Sequence, residues 1–218
     1  MAGSDLPALY LIADVATAQR MEVDLAEVVE EFVRAGGRMV SLRPGRCGGD
    51  EELVKLASHL AGLLFATRGV LLIHRRADLA LLSGADGIHT PSGGLNMGQI
   101  REVMGQSVIC GRSCHLGREV AHCDRQGWSF ATLGPVFESI SKEGYGPSVS
   151  PDTFEEISTG VDLPVYALGG VTPDNAPICM RAGAHGVAVV GGILGADSAF
   201  EATRHYLDAL DVAEDTES

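Results

Sequence analysis

Basic residues are scarce in this chain of 218 residues. It has 16 lysines and arginines against 29 aspartates and glutamates, which gives a formal net charge of -13. A chain this acidic is poorly suited to bind nucleic acid or an anionic membrane, and we expect neither as a partner. A phosphorylated ligand would need a locally positive site, which confines the search to a few basic residues.

The sequence also lacks long apolar runs and paired cysteines. No apolar run is long enough to cross a bilayer, and the start, MAGSDLPALY, lacks the basic segment of a signal peptide. The cysteines are odd in number, scattered and without CxxC or zinc-ribbon spacing. We therefore expect a cytoplasmic protein with reduced thiols and no metal site. The cysteines are Cys47, Cys110, Cys114, Cys123 and Cys179.

What the chain does contain is a regular alternation of short apolar segments with amphipathic ones. Asp24 at the start of the first amphipathic segment, and Gly36-Gly37 after it, are typical helix boundaries. The predicted strands are residues 8–13, 39–42, 70–73, 86–89, 107–111, 128–133, 164–168 and 186–190. The predicted helices are residues 24–34, 50–66, 77–82, 96–104, 116–126, 151–158, 173–181 and 198–210.

This alternation predicts the α/β class and a single closed (β/α)8 TIM barrel spanning residues 1–218, with an acidic tail from about residue 211. Apolar strands of this kind are buried on both faces, as a parallel sheet requires. The alternative is a doubly wound open sheet. An open sheet of that kind usually has fewer βα units and a glycine-rich turn after the first strand. This chain has Ala13-Asp14-Val15 at that position.

A phosphate site is predicted at one edge of this barrel. Active sites of such barrels lie at the carboxyl ends of the strands, and the loops after strands seven and eight often hold phosphate. Glycine pairs fall at those two places, and a loop rich in hydroxyls and glycine follows strand six. The candidate phosphate-binding residues are Ser139, Ser141, Lys142, Gly169, Gly170, Gly191 and Gly192.

Several segments, in the same order, resemble the thiamine-phosphate synthase superfamily, including its thiazole tautomerase branch. They are SLRPG, DLALLSGADGIH, GRSCH, LGPVFESISK, ALGGVTPDN and AGAHGVAVVGGI. The similarity covers nearly the whole chain and implies a barrel that binds a phosphorylated thiazole. Ser139 and Ser141 stand where the family has threonines, and Lys142 matches its lysine. Barrels of this kind often pair, so a homodimer is possible.

Three segments depart from the synthase pattern. A Gln-Leu-Arg-Glu-Lys type segment is replaced by Ser41–Gly45, which keeps Arg43 and its leucine. The Asn-Asp that serves the pyrimidine diphosphate and its magnesium is replaced by His74-Arg75. The segment that carries the second magnesium aspartate is here residues 90–95, without a carboxylate. The resemblance thus implies no cofactor for a tautomerase, and magnesium only if the synthase alternative holds.

The tautomerase branch resembles this chain at Ser113-Cys114-His115, where the family's proton-transfer histidine lies. Isomerising a non-aromatic carboxythiazole phosphate needs a base and an acid, and histidine suits both because its ordinary pKa is near neutrality. We expect His115 to be catalytic, with Arg43, His74 and Ser113 binding the substrate and Arg43 holding its carboxylate. Packing roles for His115 and His74 remain open, and His89 is expected to be structural.

Three functions are consistent with these residues. The first, which these residues favour because the chain is most similar to the tautomerase-like branch, is a thiazole tautomerase-like isomerase that uses His115 for proton transfer. The second is a thiamine-phosphate synthase that joins hydroxymethylpyrimidine diphosphate to thiazole phosphate with atypical metal handling. The third is a non-catalytic binder of a phosphorylated thiazole or thiamine compound.

Overall fold

The computed structural model describes residues 6–45, 49–137 and 148–215 and contains a closed barrel of eight parallel strands. Each strand pairs with the next in the chain, and β8 pairs with β1. The predicted (β/α)8 barrel is therefore confirmed, and the open sheet is wrong. The strands are β1 Leu9–Asp14, β2 Met39–Arg43, β3 Val70–His74, β4 Gly87–Thr90, β5 Ile109–Cys114, β6 Phe130–Leu133, β7 Val165–Leu168 and β8 Gly186–Val189.

Helices lie on the outside of the barrel and bury their apolar sides against it. The side chain of Asp24 accepts hydrogen bonds at the start of α2, and Gly36 ends that helix in a left-handed conformation. The helices are α1 Val15–Met21, α2 Leu25–Ala35, α3 Asp50–Ala66, α4 Ala77–Ser83, α5 Met97–Met104, α6 Gly117–Gln126, α7 Pro151–Thr159, α8 Ala176–Arg181, α9 Gly191–Leu194 and α10 Ala199–Asp215.

Two apolar cores follow from the alternation of side chains along each strand. The larger core lies between the outer face of the barrel and the helices. The smaller core fills the barrel interior, where the rings of Tyr10, Phe130 and Tyr166 meet edge to face with centroids 5.4–5.7 Å apart. These three rings close the interior beneath the carboxyl ends of the strands, so any ligand at those ends rests on a solid aromatic floor.

The structure corrects several boundaries. The fifth strand begins at Ile109 and continues to Cys114, three residues beyond the predicted end at residue 111. Gly191-Gly192 is the first turn of the short helix α9 and not a plain turn. The last helix continues to Asp215, beyond the predicted end at residue 210. No helix in the described part of the chain is long and apolar enough to cross a membrane.

The described cysteines are all buried and free. Cys114 at the end of β5 and Cys123 in α6 bring their sulfur atoms within 3.7 Å of each other. Cys47 lies outside the described residues. Among the described residues there is no group of three or more His, Cys, Asp or Glu side chains that could hold a metal ion.

Candidate functional site

Polar side chains gather where the strands end, on the inner face of the barrel. The register pairs Asp14 with Arg43, His74 with His89 and Ser113 with Thr132. Paired residues of neighbouring parallel strands point to the same face. Because Tyr10 and Phe130 share that alternation and lie in the inner core, the polar residues form the layer directly above the aromatic floor. We call this layer the mouth.

A buried histidine links two hydroxyl groups across the mouth. His89 Nδ1 lies 2.9 Å from the Tyr10 hydroxyl, and Nε2 lies 2.9 Å from Ser113 Oγ. Burial lowers the pKa of His89 well below its ordinary value, and His74 and Arg43 lower it further. The ring is therefore neutral at pH 7, with one nitrogen donating and the other accepting. The predicted structural role of His89 fits this burial, and the histidine also holds Ser113 in place.

His74 stacks on His89 with ring centroids 5.2 Å apart and an interplanar angle of 18°. Burial lowers the pKa of His74 to about 4, with further lowering by Arg43 and Arg75 and a smaller opposing effect from Asp14. An uncharged imidazole at pH 7 can donate one hydrogen bond and accept another, but it is no cation. The substrate-binding role predicted for His74 would therefore depend on one N–H group rather than on charge.

Arg43 ends β2 and forms an ion pair with Asp14, with Nη1 3.3 Å from Oδ2. The other carboxylate oxygen of Asp14 accepts the Ala16 N–H at 3.0 Å and caps α1. The Arg43 side chain remains 41% exposed. A guanidinium has five N–H groups, so this pairing leaves Arg43 able to bind an anion as well.

His115 directly follows β5 and is exposed at the rim. Its Nδ1 lies 2.8 Å from the Gly134 carbonyl oxygen, and its backbone N–H donates to Glu119 at 2.7 Å. A carbonyl oxygen only accepts, so Nδ1 carries a hydrogen and donates it to the Gly134 oxygen. The carbonyl thus fixes the orientation of the imidazole, which suits a proton-transfer group.

The ends of β6 and β7 are tied together by backbone hydrogen bonds. Val136 N–H donates to Leu168 O and Phe137 N–H to Gly169 O, both at 3.0 Å. The Val149 N–H donates back to Pro135 O at 2.8 Å. The described residues on either side of 138–147 therefore meet beside Gly169. Ser139, Ser141 and Lys142, the predicted phosphate-binding side chains of that loop, lie outside the described residues.

The two glycine pairs follow neighbouring strands. Gly169 and Gly170 come directly after β7, with φ of 101° and 67°, a left-handed conformation that other residues rarely adopt. Gly191 and Gly192 open α9 after β8. The first N–H groups of a helix have no acceptor within it. Both pairs thus stand at the same side of the mouth, which is where the sequence predicted a phosphate.

Four residues of this region carried no role in the sequence prediction: Tyr10, Asp14, Arg75 and Thr132. Thr132 is buried, and its Oγ1 has no hydrogen-bond partner within the described part of the chain. The signal that could have found three of them is the two-residue alternation. Tyr10 and Asp14 share parity in β1, and Thr132 shares parity with Phe130 in β6. Arg75 lies beyond its strand, where parity gives no guide.

The lowered pKa values of His74 and His89 make the fold sensitive to acid. Unfolded imidazoles bind protons below about pH 6.5, whereas His74 resists protonation until about pH 4. The contribution of His74 to the free energy of unfolding is therefore fully present above about pH 6.5, and it is lost as the pH drops toward 4. From His74 alone we expect a loss of about 2 kcal/mol in the free energy of unfolding between pH 7.5 and pH 5.

Urea denaturation at the two pH values checks this expectation. His74→Asn removes this titrating group. The drop in the free energy of unfolding between pH 7.5 and pH 5 should therefore be smaller in the variant than in the unaltered protein, by about 2 kcal/mol. His205→Asn is the matched control, because His205 is exposed on α10. Equal acid losses in the His74 variant and the unaltered protein would contradict the assignment.

Comparisons of the sequence with a family profile and with known proteins all point to the same family. The sequence profile described as thiamine monophosphate synthase matches residues 9–193. The chain is 36% identical to a putative thiamine-phosphate synthase of Geobacter sulfurreducens, over 93% of each chain. It is 34% identical to putative thiamine-phosphate synthase 2 of Aquifex aeolicus, over 87% of this chain and 99% of that one.

A solved structure with the same fold is the thiamine phosphate pyrophosphorylase from Pyrococcus furiosus. It superposes with a TM-score of 0.83 over 94% of this chain and 96% of that one, at 22% identity. At this level of identity the likeness shows the shared barrel and nothing about activity.

Proposed function

The chain belongs to the thiamine monophosphate synthase family, and from this premise we propose that it is a transferase. It is an enzyme of thiamine biosynthesis built on a barrel. The proposed reaction joins the methylene carbon of a hydroxymethylpyrimidine diphosphate to the ring nitrogen of a thiazole phosphate, with release of diphosphate. The observation that carries the proposal is the match of the family profile to nearly the whole barrel, residues 9–193. The relatives named above are called synthases, and none is called a tautomerase.

The sequence favours the tautomerase, whereas the names of the relatives favour the synthase alternative. The two proposed reactions would use the same half of the site, the half that binds the thiazole phosphate. In both, the thiazole phosphate lies against the ends of β6, β7 and β8. We assign Gly169, Gly170, Gly191 and Gly192 to its oxygens through backbone N–H groups. We assign Ser139, Ser141 and Lys142 to the same phosphate as donors and counter-charge.

The opposite side of the mouth, at the ends of β2 and β3, faces this phosphate across the barrel. In a barrel of eight strands, β2 and β3 lie opposite β6 and β7. Arg43 is the basic group that ends β2. Two substrates that each carry an anionic tail can then meet over the centre of the mouth with their anions on opposite sides. That arrangement aligns the reacting atoms before a bond breaks.

The described residues do not fit the magnesium ion that the family uses. Magnesium prefers oxygen ligands and usually takes one or two carboxylates together with substrate phosphates. Asp14 is the carboxylate that the register brings to this side of the mouth, and its two oxygens are already bonded to Ala16 and Arg43.

The reaction can be described through the chain's own groups. The bond between the pyrimidine methylene and the diphosphate oxygen breaks, and its electron pair leaves with the diphosphate. The lone pair of the thiazole nitrogen then forms the new bond to carbon. Ser113, oriented by His89, lies in the polar layer of the mouth and can hydrogen-bond a polar edge of a substrate ring. This bond breaking leaves a cation at the pyrimidine methylene carbon, and the aromatic floor keeps water from reaching that carbon from below.

Isomerisation of a carboxythiazole phosphate is the second candidate, and one observation favours it. The Gly134 carbonyl oxygen accepts the Nδ1–H of His115 and so fixes the orientation of the imidazole at the rim. A base in that position could take the ring proton and return it to the exocyclic carbon. The phosphate would again bind at β6 to β8, and Arg43 would hold the carboxylate.

One pair of assays tests the proposal. The protein is incubated with hydroxymethylpyrimidine diphosphate and thiazole phosphate, and thiamine phosphate is measured as its fluorescent thiochrome. In parallel, the non-aromatic carboxythiazole phosphate is supplied alone and its aromatisation is followed by absorbance. We expect thiamine phosphate to form. Aromatisation without coupling would select the isomerase, and thermal stabilisation by thiazole phosphate without either reaction would select a binder.

His115→Gln separates the candidates within the same assays. Glutamine keeps a polar side chain but has no titratable nitrogen, so isomerisation should fall by about 100-fold or more. Coupling should stay within a few-fold of the unaltered protein because it needs no proton transfer at this position. A loss of coupling as large as the loss of isomerisation would count against the proposed roles.

A further inference from the structure

Two consecutive arginines follow β3, and the fold treats them differently. The Arg76 guanidinium is held by Asp50 at 3.0 Å and by Asp78 at 2.7 Å. Arg75 is exposed, and within the described residues no carboxylate lies at salt-bridge distance from it. The structure therefore neutralises the arginine at the start of α4 and leaves the one at the mouth available to an anion.

The backbone fixes the position of Arg75. Its φ is +68°, in the left-handed region that residues with side chains seldom occupy. Its N–H donates to the His89 carbonyl at 2.9 Å, which ties the residue to the end of β4. The backbone of Arg75 is thus held at the mouth, between the ends of β3 and β4.

A second guanidinium stands on the neighbouring strand. Leu42 pairs with Ile73 in the register, so Arg43 and His74 are the next residues along β2 and β3. Arg43 and Arg75 both lie close enough to His74 to lower its pKa, which places the two arginines on the same side of the mouth. Asp14 balances one of the two positive charges, and His74 is neutral at pH 7. This side of the mouth, at the ends of β2 and β3, therefore keeps one net positive charge in a protein whose net charge is -13.

We propose that Arg43 and Arg75 bind the diphosphate group directly, without a magnesium ion between protein and phosphate. The inference rests on the proposed function, which supplies a diphosphate ester. Two planar guanidinium groups match the oxygens of a diphosphate through paired N–H bonds. When the carbon–oxygen bond breaks, its electron pair moves onto the diphosphate, and the two guanidinium groups stabilise the charge that develops there. No proton or metal is needed to balance this step.

The test is calorimetric titration of the full chain with inorganic diphosphate at constant ionic strength, once in EDTA and once in magnesium chloride. We expect binding in EDTA that magnesium does not tighten. Arg75→Asn should weaken the binding in EDTA by about tenfold or more, because it removes a charge-assisted contact. Asparagine tolerates the left-handed backbone, so the variant should fold.

Arg68→Asn is the matched control. Arg68 is also exposed and also has a left-handed φ, +57°, but it precedes β3 and lies at the opposite end of the barrel. Its variant should bind diphosphate as the unaltered protein does. Binding that requires magnesium, or equal weakening in the two variants, would overturn the inference.

The outcome can be separated from the fate of the proposed function, because the titration uses diphosphate alone. A protein that binds diphosphate in EDTA through Arg75 but forms no thiamine phosphate supports this inference and contradicts the transferase. A protein that forms thiamine phosphate but binds diphosphate only with magnesium contradicts this inference and leaves the transferase intact.

Discussion

Gly134→Ala is expected to lower the free energy of unfolding by about 3 kcal/mol. A Cβ atom at this position would lie 1.9 Å from the Leu168 carbonyl oxygen and 2.8 Å from its carbon. That carbonyl accepts the Val136 N–H, so it cannot withdraw without losing a backbone hydrogen bond. The ends of β6 and β7 would have to separate. Because the Gly134 carbonyl also holds His115, the rim of the site should shift as well.

Chemical denaturation measures this effect, and Gly62→Ala is the matched control. Gly62 lies within α3, and a Cβ atom there would meet nothing within 4 Å. Alanine in a helix interior is favoured over glycine, so this variant should gain about 0.5–1 kcal/mol. If Gly134→Ala were as stable as the unaltered protein, the close approach of the two strands would not be real.

Phe130→Ala is the second large effect, with an expected loss of about 3–5 kcal/mol. Phe130 is completely buried in the barrel interior. Its ring contacts those of Tyr10, His89 and Tyr166 at centroid distances of 5.4–5.7 Å. Removing it opens a cavity beneath the mouth and takes away packing that holds the His89 ring. Both the aromatic rings of the floor and the polar residues of the mouth above them should then be less well ordered.

The same substitution at Phe65 provides the control for this experiment. Phe65 is 87% exposed on α3, so Phe65→Ala should change the stability by no more than about 0.5 kcal/mol. Phe130→Leu keeps an apolar side chain of similar volume and should cost about 1 kcal/mol. Urea denaturation of the three variants gives the ranking. Equal losses for Phe130→Ala and Phe65→Ala would show that the interior rings do not support the barrel.

The long helices could be predicted from the sequence because their limits are local. Residues 50–66 were predicted as a helix, and α3 spans Asp50–Ala66. Asp24 and Gly36 mark the ends of α2 through a side-chain cap and a left-handed glycine, and both signals act within one turn. Amphipathic spacing, caps and glycines together suffice where a helix is long enough to show them.

The two helices that the sequence did not predict are short. Val15–Met21 and Gly191–Leu194 each have too few residues for a periodic pattern, and isolated helices of this length are unstable. α9 begins with two glycines, which are poor helix formers. These helices contact each other across the neighbouring strands β1 and β8. Packing stabilises them, and a single sequence does not report packing between distant segments.

The candidate site was predicted in part. His115, Ser113, Arg43 and His74 lie at the ends of strands, as expected. The ion pair of Arg43 with Asp14 could not be predicted, because it depends on the register of two strands some thirty residues apart. The same holds for Tyr10, which an apolar segment had marked only as part of a buried strand. Residue type gives the chemistry of a site, whereas closure of the barrel decides which groups meet.

The connection from Tyr10 through His89 to Ser113 has a consequence for substrate choice. A neutral imidazole has a single ring hydrogen. If that hydrogen is on Nε2, it occupies the Ser113 oxygen, and the serine is free to donate to a carbonyl or ring nitrogen of the ligand. If it is on Nδ1, the Ser113 hydrogen is drawn toward the ring, and the serine offers a lone pair to an amino group instead. Without any change in charge, the move of one hydrogen between two atoms of His89 thus reverses the polarity that Ser113 presents.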